Sequence, residues 1–150
     1  MIETEIQVGN FFKTDVFLIK VEEIKETGVK GKLLSKISSN HYPPVYYEYI
    51  QKQMGLPEII PFNELVPIRI NDFIEHINKT EITDGIFIDL RDSTEVVVNR
   101  YDLDNNIIIK VYTGFCIIEG VDGEYIYVHQ LQNKYRELTG QELNFIFNGL

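Results

Sequence analysis

A chain of 150 residues that contains no alanine lacks the side chain best suited to a helix interior. Isoleucine, asparagine, lysine and tyrosine are abundant instead, a usage typical of an AT-rich coding genome. β-Branched and aromatic side chains fit a pleated surface better than a helical one, so long helices are not expected. Short strands, frequent turns and one or two short helices are.

The order of these elements can be read along the chain. Val8 to Thr14, through Gly9-Asn10 and the aromatic pair Phe11-Phe12, predicts a first strand, with a turn at Asp15 and a second strand from Val16 to Ile24. Thr27-Gly28 supplies the next turn and Val29 to Ile37 a third strand. Its alternation turns Lys30 and Lys32 outward and Val29, Gly31 and Leu33 inward. Residues 38–67 are irregular. A short helix is predicted from Pro44, ending at Gly55, and Pro57, Pro61 and Pro67 then favour an extended connection in which Glu64 to Ile68 adds a strand to the first unit.

Asn71 is a suitable N-cap for a helix reaching Lys79, with Phe73, Ile74 and Ile77 on one face. Four strands are then expected as an antiparallel meander: Ile86 to Leu90, Glu95 to Leu103, Ile107 to Glu119 with a bulge or bend at Gly114, and Glu124 to Val128. Turns at Arg91 to Thr94, Asp104-Asn105-Asn106 and Asp122-Gly123 separate them. A last helix from His129 to Leu138 presents Leu131, Tyr135 and Leu138 as its core stripe and stops at Gly140. Leu143, Phe145 and Phe147 alternate after it as a short final strand.

The fold class that follows is α+β. An N-terminal small SH3-like β-barrel or curled sheet, residues 1–68 with a Pro/Tyr-rich connection, precedes residues 69–150, an antiparallel four- to five-stranded sheet packed by one or two short helices. The two halves are expected to pack into one compact body, since a chain of this length buries about two-thirds of its unfolded surface.

Charge narrows the function. The net charge is −9, and it is uneven: residues 1–70 carry 8 Lys+Arg against 9 Asp+Glu, residues 71–150 carry 6 against 14. Nucleic-acid binding by counterion release needs clustered cations, so DNA and RNA are disfavoured partners. The acidic excess suits either attraction to a basic partner surface or a solvated face that keeps the chain soluble. No apolar run approaches the roughly 20 residues of a membrane helix. The start, MIETEIQVGN, lacks the lysines and apolar core of a signal peptide, so a cytoplasmic location is expected. The single cysteine, Cys116, lies in an apolar strand-like run and reads as a buried structural thiol.

Three segments resemble a family of short proteins encoded by phages and prophages of Bacteroidetes bacteria. Gln7-Val8-Gly9-Asn10 is similar to its R-x-G-N motif, Pro67-Ile68-Arg69-Ile70-Asn71 to its P-I-P-L-T segment, and Val128 to Leu143 to its V-H-x-L-Q-N-L-Y-F-A-L-T-G-E-E-L motif. The middle segment lacks the second proline and a following tryptophan. The last carries Lys134, Arg136 and Glu137 where the family is apolar or small. The resemblance implies a shared layout and a phage or prophage setting in a bacterial cytoplasm, and no particular activity.

Candidate chemistry is sparse. His41, His76 and His129 lack a partner at zinc-ligand spacing, Asp72 and His76 being one helical turn apart as a surface pair. His129, at a strand-to-helix junction, either bonds backbone at the helix start or faces a ligand. Asp102-x-Asp104-x-Asn106 resembles the start of a calcium loop but has Ile107 and Thr113 where that loop needs glycine and glutamate. Asp89, Arg91, Asp92 and Glu95 gather near one turn without a nucleophile, and Gly28-x-x-Gly31-Lys32 has the wrong spacing for a phosphate loop. No cofactor and no metal are implied.

The preferred expectation is a non-enzymatic accessory protein that binds a host protein, countering a defence system included. Its binding residues would be the interface-prone tyrosines Tyr42, Tyr46, Tyr47 and Tyr49, together with His129, Lys134, Arg136 and Glu137. The alternative is a homo-oligomer that holds a small molecule or nucleotide signal between subunits. An enzyme whose carboxylates meet only in the fold is a third class.

Overall fold

The computed structural model describes residues 5–14, 17–36, 59–82, 86–89, 94–97 and 99–146; of residues 33–36, 86–89 and 94–97 it describes the backbone. They form an α+β fold, mostly strands, with two antiparallel four-stranded sheets, a separate hairpin and two short α-helices. The chain divides into two units between Ile68 and Arg69.

The N-terminal unit is a curled sheet in the order β1 (Phe11–Lys13), β2 (Phe17–Ile24), β3 (Gly28–Lys36), β4 (Ile60–Pro61). Its alternation buries Phe12 and, directly opposite it, Ile19, with Val21 and Val29 on the same inner face. Together with Ile6, Phe17, Ile60 and Leu65 these side chains form the core of the unit. Register shifts at Leu18/Ile19 and Val21/Glu23 bend the long β2–β3 ribbon, as bulges do.

The curl is drawn together by the segment after Ile60, which touches both edges of the sheet. β4 pairs with β3 through Val29↔Ile60, and after a 3₁₀ turn at Phe62–Glu64, Val66 exchanges backbone hydrogen bonds with Lys13 of β1 at 3.0 and 2.7 Å. A Cβ at Gly28 would overlap the Ile60 carbonyl, so the β3–β4 approach requires glycine there. The strand expected from Glu64 to Ile68 is therefore replaced by a two-residue strand slightly earlier and a single bridge. The expected first strand is also shorter. Gly9-Asn10 forms a turn whose buried Asn10 carboxamide accepts the Gln7 N–H at 2.8 Å, while Gly9 and Asn10 exchange backbone bonds with Val21.

The C-terminal unit is built on a sheet in the order β10-β9-β8-β5, from β5 (Thr80–Ile82), β8 (Asn99–Asp102), β9 (Ile108–Tyr112) and β10 (Phe115–Ile118). Among the described residues, β6 (Ile86–Asp89) and β7 (Thr94–Val97) pair only with each other. The sheet is four-stranded and antiparallel as expected, but its membership differs. The predicted strand Glu95–Leu103 is divided between two sheets. The predicted strand Ile107–Glu119 is a hairpin, because Gly114, at φ 94°, turns the chain within two residues so that Tyr112 faces Phe115. Tyr125 joins β10 through one bridge to Cys116 in place of the fourth predicted strand.

At the β8–β9 connection Asp104, Asn105 and Asn106 all have positive φ, and the Ile107 N–H reaches the Asp104 carbonyl at 3.1 Å. Asn at both central positions suits a type I′ turn, whose twist matches the strands it joins.

The first helix is one turn, α1 (Ile70–Phe73), continued as a 3₁₀ turn at Ile74–His76. Of the expected face Phe73 and Ile77 are buried, with Ile70 beside them, and Ile74 is half-buried; the helix expected to run to Lys79 ends early and Lys79 donates to the Ile74 and Ile77 carbonyls. Arg69 occupies the N-cap position assigned to Asn71. The second helix is α2 (Val128–Thr139).

Candidate functional site

The expected binding residues fall into two groups. Tyr42, Tyr46, Tyr47 and Tyr49, with the helix predicted from Pro44, lie outside the described residues, as do His41, Arg91 and Asp92. His129, Lys134, Arg136 and Glu137 all belong to α2.

Helix α2 is specified at both ends. At its start the Gln130 side-chain oxygen accepts the N–H groups of Ile126 and Tyr127, at 3.1 and 3.2 Å, which ties the incoming extended chain to the first turn. At its end Gly140 adopts φ 72° and donates its N–H to the Arg136 carbonyl at 2.8 Å, a left-handed C-cap that glycine reaches without a Cβ penalty. Thr139 completes the stop, its hydroxyl donating to the Tyr135 carbonyl and accepting from the Gln141 N–H.

Between these ends the buried side is Val128, His129, Leu131, Gln132 and Tyr135. Leu131 is 0% exposed and Tyr135 1%, whereas Leu138, expected in the same stripe, is 42% exposed. Leu143, beyond the Gly140 turn, is buried. Tyr135 also satisfies its hydroxyl, which donates to the Leu103 carbonyl at 3.3 Å and accepts from Asn105 at 2.9 Å, clamping the type I′ turn onto the helix.

His129 is 1% exposed, and its ring stacks on Tyr127 with centroids 6.0 Å apart. It is thus buried in the unit's interior. Lys134 and Arg136 lie on the accessible side and are turned toward acids of the same segment, Lys134 to Glu137 at 3.3 Å and Arg136 to Glu142 at 2.6 Å. Such surface pairs are worth about 0 to 1 kcal/mol each, so they shape local charge more than stability.

Three further cations of the unit are engaged within it, while Arg69 is exposed. Arg100 makes a bidentate pair with Glu119, at 2.7 and 3.1 Å, and Lys110, its cross-strand partner, approaches the same carboxylate at 3.8 Å. Lys79 lies 5.3 Å from the centroid of the Tyr101 ring, and burial, then the nearby Glu81 charge, raises the Tyr101 hydroxyl above its ordinary pKa. Asp72, Glu75, Glu81, Asp104, Asp122, Glu124, Glu137 and Glu142 are exposed. What the unit shows to solvent is thus weighted toward carboxylates.

Asn71, read as a helix cap, has a different task. Its side chain donates to the Tyr112 carbonyl at 2.8 Å and accepts from the Gly114 N–H at 3.2 Å, gripping the β9–β10 turn from both sides. The Tyr112 and Phe115 rings stack beside that turn, 4.9 Å apart. Nothing in local spacing pairs residue 71 with residues 112 and 114, so the clamp was not visible in the sequence.

Of the residues weighed for chemistry, Cys116 is buried and its thiol is pushed up to about 12 by that burial, far from a reactive thiolate. The Asp102 carboxylate accepts the Asp104 N–H at 2.9 Å, bracing the turn. His76 lies 3.6 Å from Glu75 and packs its ring on Phe73, in place of the pairing with Asp72. Among the described residues no group of three or more His, Cys, Asp or Glu side chains is placed to hold a metal ion, and no helix is long and apolar enough to cross a membrane. The chain matches no family model, no curated protein and no solved structure.

Proposed function

We propose that this is a phage or prophage accessory protein that acts in the bacterial cytoplasm by binding a host protein, and that the acidic surface of the Arg69–Ile146 unit meets a basic surface on that partner. The setting rests on the resemblance of Val128 to Leu143 to the phage and prophage family. The mode of binding rests on one observation. Among the described residues of the unit, Lys79, Arg100, Lys110, Lys134 and Arg136 are engaged by carbonyls or by carboxylates and Arg69 is exposed, while six carboxylate residues, Asp72, Glu75, Glu81, Asp104, Asp122 and Glu124, are exposed besides Glu137 and Glu142, the partners of Lys134 and Arg136. A surface of one sign steers association with a partner of the other and loses strength as salt screens it. Countering a host defence protein is one form such binding takes.

The test is affinity capture from host lysate over a salt series, followed by identification of what is retained. One specific protein held at low salt and released as ionic strength rises agrees with the proposal. A small molecule that co-purifies with an oligomer, with no protein partner at any salt concentration, replaces it with the ligand-holding alternative.

A further inference from the structure

We draw no further inference here: the strongest candidate, the half-buried outer face of the β10-β9-β8-β5 sheet where the Arg100, Lys110 and Glu119 cluster adjoins the stacked Tyr112 and Phe115 rings, is a sheet face for which nothing in the structure shows what covers it.

Discussion

The two four-stranded sheets bury their inner faces by different means. In the N-terminal unit the sheet bends on itself, and the returning segment from Ile60 to Val66 pairs with both of its edges, so sheet residues supply most of the core, with Ile6 and Leu65 added from outside the strands. In the C-terminal unit the strands are short, their inner residues Ile109, Val111, Cys116 and Ile118 are buried, and helix α2 contributes Val128, Leu131 and Tyr135 to the buried set. A sheet must lose one face to the interior, and curling or covering are the two routes open to so small a unit. The first route makes demands on backbone approach, as at Gly28. The second spreads its demands over α2 and the short α1, whose Ile70 and Phe73 are also buried.

The largest expected effects test the two cores. Phe12→Ala removes a fully buried ring from the curled sheet and is expected to cost about 3 to 5 kcal/mol in urea unfolding. Leu131→Ala in the covered sheet is expected to cost about 2 to 5 kcal/mol, and Leu138→Ala within about 0.5 kcal/mol. Equal losses for the two leucines would mean that α2 packs through a different side.

Gln130→Ala removes the acceptor for two backbone donors at the start of α2, and an expected loss of about 1 kcal/mol would show as faster amide exchange at Ile126 and Tyr127.

The last effect is absent at neutral pH and confined to the alkaline range. Cys116 is held protonated up to about 12 against an ordinary 9.0, so its contribution is complete below about pH 9. Above that the unfolded chain releases the proton first, and stability falls as pH rises toward 12. Cys116→Val has no proton to lose, so its urea midpoint should decline less steeply over this range. Iodoacetamide should label native Cys116 slowly and the urea-unfolded chain quickly.

What could be read from the sequence was local. Helix α2, its glycine stop, the buried Leu131 and Tyr135 and the Asp104-Asn105-Asn106 turn all follow from spacing and turn chemistry within a few residues. Leu138 continued the same spacing, but burial passes across the Gly140 turn to Leu143, which a helical pattern does not foretell. Sheet membership was hidden for a related reason. β5 is a three-residue strand, Thr80-Glu81-Ile82, with no apolar alternation, and it becomes a strand only by pairing with β8, some twenty positions later. β4 is shorter still and depends on Gly28. Asn71 scores as a helix cap by residue type, and only the arrival of the β9–β10 hairpin beside it decides otherwise. For the candidate site, charge counts made the acidic bias of the second half plain. They could not show that Arg100 and Lys110 share Glu119, or that Lys134 and Arg136 have acidic neighbours, because those pairings depend on register and on the helix end.

If, as proposed, exposed carboxylates of the C-terminal unit carry binding, reversing them should weaken binding and leave stability intact. Asp122→Lys/Glu124→Lys reverses two exposed charges in the segment after β10 and touches no described hydrogen bond or ion pair. Quantitative capture of the host partner by this double variant, alongside its urea midpoint, is the most direct measurement. Capture at low salt is expected to fall at least tenfold while the midpoint is unchanged. Capture equal to that of the parent protein, with the same salt dependence, would contradict the proposal.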